Sequence, residues 1–146
     1  MAQNGGADGA GVLFEWDPVS TTFTNHFDFQ SPTGSQPSGN LVFFNNKFYS
    51  NTPLGGQYGA GVFFEWDFSS NTYTKKLDLN QSEGNYLNGM LSYYNGRLYG
   101  LTQKGGANDL GVIFEWDPIA NTYIKKKDFS AADGSNPLGS MALFSN

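Results

Sequence analysis

The residues best suited to chemistry recur in one short motif. Phe-Glu-Trp-Asp is written three times, with glutamates at Glu15, Glu65 and Glu115. Two carboxylates held about 5 to 10 Å apart can cleave a glycosidic bond. Equivalent strands of neighbouring repeats are expected to hold their glutamates further apart, so we predict no catalytic residues. A cross-strand ion pair is the alternative role, because the following strand carries lysines at positions 75, 76, 125 and 126.

Nucleophilic and metal-dependent chemistry has little support in the composition. The chain has no cysteine and a single histidine, His26. Without a second histidine or a thiolate, neither a zinc centre nor a catalytic triad is expected. The loop "GGADGAG" has the glycine and aspartate of a calcium loop but not the regular aspartate spacing. We therefore predict no metal and no cofactor, and we interpret His26 as a solvated surface residue.

The composition indicates an all-β protein. The 146 residues fit one domain and include 19 Gly, 13 Phe and 8 Tyr, with only 14% charged residues. The net charge of −5 and the lack of a dense Lys/Arg cluster argue against nucleic acid or an anionic membrane as partner. No apolar run approaches the roughly 20 residues of a membrane-spanning helix.

The chain is a tandem repeat with a register of 50 residues, in units 1–50, 51–100 and 101–146. Four strands are predicted in each unit. "GVIFEWD" and "NTYIKKKDF" form one hairpin, and the strands "SMALFSN" and "GRLYGLT" flank an Asn-Gly turn in the repeat pattern. No segment has the 3.6-residue apolar period of an α-helix. The whole chain is predicted to form one repeat domain, 1–146.

Alternation along the Phe-Glu-Trp-Asp strand separates its roles. Phe14 and Trp16 lie on one face, and Glu15 and Asp17 on the other. We predict that Trp16 and its two equivalents pack between sheets, and that Asp17 and its equivalents accept hydrogen bonds from the amides of the following turn.

The order of these elements over residues 90–129 resembles a kelch-type propeller blade, and still more the bacterial tandem repeat called GloVer, with its Gly-Gly pair and its strand before an Asp-Pro turn. The resemblance covers essentially the whole chain and implies four-stranded β-propeller blades. Three blades cannot close a ring, which needs about four to eight. We therefore predict a homodimer that completes a six-bladed ring, with a β-trefoil as the alternative fold.

Binding is expected at two loops that vary between copies on a repeated scaffold. Their amides, carboxylates and tyrosines suit a glycan or a protein ligand. The function we predict is a non-enzymatic scaffold or binding module; a trefoil lectin and a carbohydrate-active enzyme are the alternatives. The resemblance and the weakly charged loops favour an extracellular or cell-surface location. The candidate ligand-binding residues are Asp8, Gln36, Tyr58, Asn85, Tyr86, Asn108, Asp109 and Asn136.

Overall fold

The computed structural model describes residues 1–142, and this part of the chain is all-β with no α-helix. One short 3₁₀ turn spans Ser31–Thr33. The strands are β1 (Val12–Asp17), β2 (Thr22–Asp28), β3 (Val42–Phe44), β4 (Lys47–Thr52), β5 (Val62–Asp67), β6 (Thr72–Asp78), β7 (Ser92–Tyr94), β8 (Arg97–Thr102), β9 (Val112–Asp117) and β10 (Thr122–Asp128).

The strands form three antiparallel sheets. Sheet I is β1–β2, sheet II is β3-β4-β5-β6, and sheet III is β7-β8-β9-β10. Each complete sheet therefore joins the last two strands of one sequence unit to the first two of the next, which confirms four strands per repeat. In the predicted strand "SMALFSN", residues 140–142 are not in a strand, and residues 143–146 lie outside the described part.

The residue types in the turns account for the conformations of the turns. In the β7–β8 turn, Asn95 and Gly96 have φ of 47° and 79°, as a two-residue hairpin turn of type I′ requires. After β9, Asp117 Oδ1 accepts hydrogen bonds from the amides of Ile119 (3.0 Å) and Ala120 (2.9 Å). Equivalent bonds are made by Asp17 and Asp67, so the predicted turn role of these aspartates is confirmed.

A β-bulge recurs in the last strand of every sheet. The pairing register slips between Leu13 and Phe14, which leaves His26 as the extra residue of β2. The same slip leaves Lys76 extra in β6 and Lys126 extra in β10. A bulge redirects its side chain, and these three side chains all reach the glutamate of the preceding strand.

Aromatic side chains pack between neighbouring sheets. Trp116 is 0% exposed; its ring stacks on Phe63 of sheet II at 4.6 Å and meets Tyr49 edge-on at 5.9 Å. Trp66 is buried too, so the packing prediction is confirmed for both. It is wrong for Trp16, which is 53% exposed. Within residues 1–142, sheet I has no inner strand pair and no preceding sheet to cover that ring.

Candidate functional site

The two variable loops of unit 1 meet and form a cleft. The amide of Gln36 donates to the carbonyl of Ala10 (2.8 Å), and Gln30 Nε2 donates to Asp8 Oδ2 (2.6 Å). A cleft of about 550 Å³ lies between the Gly-Gly loop and the loop after β2. We call it cleft 1; it is lined by Asp8, Gly9, Ala10, Gln30, Ser31, Pro32, Ser35 and Gln36.

The loops of successive units interleave into one continuous rim. Gly56 N donates to Ser31 O (2.7 Å), which ties the Gly-Gly loop of unit 2 to the preceding loop. Gly106 N and Gln81 O repeat this bond at 2.9 Å one unit later. The rim is thus a backbone-bonded platform on which the side chains of each unit vary.

Each unit places two variable side chains on this rim, one from each of its two loops. Cleft 1 is lined by Asp8 and Gln36, and 50 residues on, the same two positions are Tyr58 and Tyr86. These tyrosines are 59% and 43% exposed. In unit 3 the positions are Asn108 and Asn136.

The backbone at the second position of each pair is left-handed. Gln36, Tyr86 and Asn136 have φ of 56°, 54° and 51°. Asparagine adopts this conformation readily, whereas glutamine and tyrosine adopt it at a cost in conformational free energy. Backbone strain of this kind is concentrated at functional sites.

Three of the predicted ligand-binding residues hold the loops themselves. Asp109 Oδ1 accepts hydrogen bonds from Gln81 Nε2 (2.7 Å) and Gly105 N (2.8 Å). Asn85 Nδ2 donates to Gln81 Oε1, and Asn108 Nδ2 donates to the carbonyl of Phe129 (2.8 Å). Asp8 also bonds to Gln30 across cleft 1, and Asn136 bonds to Ser135, so the predicted side chains without a hydrogen bond to the described residues are Gln36, Tyr58 and Tyr86.

Glu65 and Glu115 form ion pairs on both sides of their strand. Glu115 contacts Lys126 Nζ at 3.0 Å and Arg97 Nη1 at 3.2 Å. Glu65 likewise contacts Lys76 at 3.6 Å and Lys47 at 2.5 Å. The cross-strand pairing predicted for positions 76 and 126 is confirmed, while the lysines at 75 and 125 pair with Asp78 and Asp128 instead. The cations of the inner strand were not predicted.

These ion pairs set the charge state of the carboxylates. The hydrogen bond from Lys126 holds the pKa of Glu115 below its ordinary value. Partial burial alone would raise the pKa of Glu65, but the bond from Lys47 and the nearby Lys76 together lower it. A general acid at neutral pH needs a raised pKa. Both glutamates are held in the opposite, ionised state.

His26 is not the solvated surface residue we predicted. Its side chain is 14% exposed and its ring lies 4.7 Å from that of Trp66. Nε2 contacts Glu15 Oε2 and Nδ1 contacts Asn71 Oδ1, both at 2.9 Å. The bulge in β2 turns the imidazole between sheets I and II, where it replaces the lysine of the other units.

The sequence model of the Gloeobacter/Verrucomicrobia repeat matches residues 1–146. The chain belongs to this repeat family. The match confirms the GloVer resemblance noted on the Gly-Gly pair and the strand that follows it. No curated protein matches the chain.

This Gloeobacter/Verrucomicrobia repeat carries a structural aspartate that the sequence reasoning missed. Asp78 Oδ1 accepts the amide of Gln57 (2.7 Å), and Asp128 Oδ1 accepts that of Ala107 (2.8 Å). The aspartate thereby fastens the Gly-Gly loop to the last strand of the same unit. Its recurrence in step with the Gly-Gly pair was the available signal.

Two further properties bear on partners of this repeat protein. Over residues 1–142, no group of three His, Asp or Glu side chains could hold a metal ion. The same stretch contains no helix long and apolar enough to cross a membrane.

Proposed function

We propose that this repeat protein is a non-enzymatic binding scaffold whose loop rim recognises a glycan. The observation that carries the proposal is the pair of exposed tyrosines, Tyr58 and Tyr86, at the two positions that line cleft 1 in the preceding unit. A sugar ring offers an apolar face to an aromatic ring and hydroxyls to planar amides and carboxylates. Asp8, Gln30 and Gln36 supply the polar groups in the adjoining unit.

A glycan array tests the rim. The wild-type chain is expected to bind a subset of glycans, and the double variant Tyr58→Ala, Tyr86→Ala to lose at least about tenfold in affinity, the equivalent of about 1.4 kcal/mol. The matched control is Tyr94→Ala, Ile119→Ala, which removes two exposed side chains away from the rim instead. A blank array, or equal binding by the two double variants, would contradict glycan recognition at the rim.

The scaffold is completed, in this proposal, by a second copy of the chain. Trp16 of sheet I is exposed, whereas its equivalent Trp116 is buried against Phe63 and Tyr49. The residues equivalent to that pair at the far end of the array are Ile113 and Tyr99, both half-buried. Packing Trp16 of one copy on these residues of another would repeat the observed contact. Two such contacts join six sheets, and the up-and-down order favours a propeller over a trefoil.

Cross-linking tests that contact in a chain that has no natural cysteine. The double variant Thr21→Cys, Lys126→Cys keeps Trp16 and is expected to yield a covalent dimer with a short bis-maleimide reagent, because the equivalent positions meet between sheets, Asn71 with His26 and Asn121 with Lys76. Pairing Lys126→Cys with Asn46→Cys, on the exposed β3–β4 turn, is the control and should stay uncross-linked. Equal cross-linking of both variants would contradict the end-to-end arrangement.

A further inference from the structure

An apolar groove of about 550 Å³ runs along the free edge of β1. Phe14 and Glu15 form one side, and sheet II forms the other through Leu41, Phe43, Phe48 and Trp66. We call this the inner groove. Within residues 1–142, the inner edge of β1 is paired only at its first residue, where Ala2 and Val12 exchange both backbone hydrogen bonds at 3.0 Å. From Leu13 onward, no strand of the described residues pairs with that edge.

The equivalent space between sheets II and III is filled. There the hairpin β3–β4 packs on the next sheet: the ring of Phe44 lies 5.0 Å from that of Tyr93, and the ring of Tyr49 lies 5.9 Å from that of Trp116. Leu91 and Leu98, equivalent to Leu41 and Phe48, are buried by this packing. The inner groove is thus lined by residues equivalent to those that the hairpin β3–β4 covers on sheet III, but no hairpin of the described residues covers them.

Charge complementarity specifies what the groove would accept. The side chains of Glu65 and Glu115 are each 10% exposed and meet a cation from the inner strand, Lys47 or Arg97, as well as one from the bulge. Glu15 contacts only His26 among the described residues, and its side chain is 60% exposed. The missing partner of Glu15 is a cation on the inner side of β1.

Strand register extends the requirement to three consecutive residues. Across β8 and β9, Leu98 lies opposite Trp116 and Tyr99 opposite Glu115, with Arg97 just before them. Across β4 and β5 the same places hold Lys47, Phe48 and Tyr49. A strand added to β1 in this register would place a cation near Glu15, an apolar side chain over Trp16, and a tyrosine against Trp66.

We propose that the inner groove is a strand-addition site for a β-hairpin whose second strand reads basic, apolar, tyrosine. Main-chain bonds to β1 supply affinity, and Glu15 with the aromatic lining supplies specificity. The site lies between sheets I and II, away from the rim, and it shares Trp16 with the proposed contact to Ile113 of a second copy. It extends the scaffold role by giving the array a second kind of partner.

A peptide of this chain's own sequence is the probe. Residues 90–100, "MLSYYNGRLYG", carry the hairpin turn and the required triplet, contain no tryptophan, and end before the position that Ala2 occupies on β1. Fluorescence anisotropy of the labelled peptide measures its dissociation constant. At protein concentrations where copies do not associate, burial of Trp16 by the peptide should also shift protein emission to the blue, and the variant Trp16→Phe should reduce that shift.

Charge reversal decides whether the peptide occupies the proposed register. Glu15→Lys is expected to weaken binding at least about tenfold, because a partly buried ion pair becomes a repulsion. A peptide with Arg97→Glu should recover most of that loss on the variant and bind the wild type poorly. Asp133→Lys makes the same charge change on a distant loop and is expected to leave the dissociation constant unaltered.

The possible outcomes distinguish a failure of the strand-addition site from a failure of the proposed scaffold. No saturable binding, equal binding by Glu15→Lys and wild type, or no rescue by the reversed peptide would overturn the strand-addition site. A monomeric chain that binds the peptide as described would support the site while contradicting ring completion. A dimer that binds glycans on the array but does not bind the peptide would support the proposed scaffold and contradict the strand-addition site.

Discussion

Replacing Trp116 with alanine should be among the most destabilising changes in the chain. The ring is 0% exposed, stacks on Phe63 at 4.6 Å and meets Tyr49 at 5.9 Å, so its loss opens a cavity between sheets II and III. A buried tryptophan removes about 200 Å² from water, which at about 25 cal/mol per Å² is about 5 kcal/mol. Measured truncations of this kind cost about 3 to 5 kcal/mol. We expect about 4 kcal/mol.

Trp16→Ala is the matched control, because the same residue stands at the equivalent position with about half of its surface in water. It should cost about 2 kcal/mol or less at protein concentrations where copies do not associate. Urea unfolding followed by circular dichroism gives both free energies, with equal slopes expected since the exposed area hardly changes. Equal losses for the two variants would refute the packing described for sheet III.

Three further changes test the loops and charges. Gly56→Ala should destabilise far more than Gly59→Ala in thermal unfolding: both glycines have positive φ, but a Cβ at Gly56 would lie 2.6 Å from Val62 Cγ1, whereas nothing lies within 4 Å at Gly59. Tyr123→Phe should cost about 1 kcal/mol by urea unfolding, because the hydroxyl donates to the carbonyl of Glu83 at 2.5 Å. The lowered pKa of Glu115 contributes stability above its ordinary value of 4.5 that is lost as pH falls through the folded pKa, so Glu115→Gln should flatten the acid side of a stability profile.

The strand pattern could be read from the sequence because it rests on local rules. Alternation, the Asn-Gly turn and the aspartate turns are decided within about ten residues, and the structure has them where they were predicted. The 50-residue register then extends the strand assignment of one unit to the other two. The strands of sheets II and III could therefore be predicted from the repeat alone.

Contacts between units could not be read in the same way. The role of Trp16 differs from that of Trp116 because of what covers it, and equivalent residues look identical in the sequence. His26 was misjudged because a β-bulge, which a pattern of side-chain types does not reveal, turns its ring onto Trp66. Lys47 and Arg97 reach their glutamates across a sheet whose pairing joins two sequence units.

That the two variable loops lie near each other could be predicted, but the hydrogen bonding of their side chains could not. Variation between copies pointed to the two loops, and the structure brings Asp8 and Gln36 to one cleft. Asp109 and Asn85 varied as well, yet their side chains bond within the loops. Sequence variation marks where a loop can change, while hydrogen bonding decides which of its side chains face a ligand.

Self-association through Trp16 is tested most directly by the native mass in solution. Sedimentation equilibrium at micromolar concentration should give twice the 16.0 kDa chain mass for the wild type. Trp16→Ala should shift the equilibrium to the single chain, since it removes the exposed ring that the second copy would bury. A wild-type mass of 16.0 kDa across the whole concentration range would contradict completion of the scaffold by a second copy.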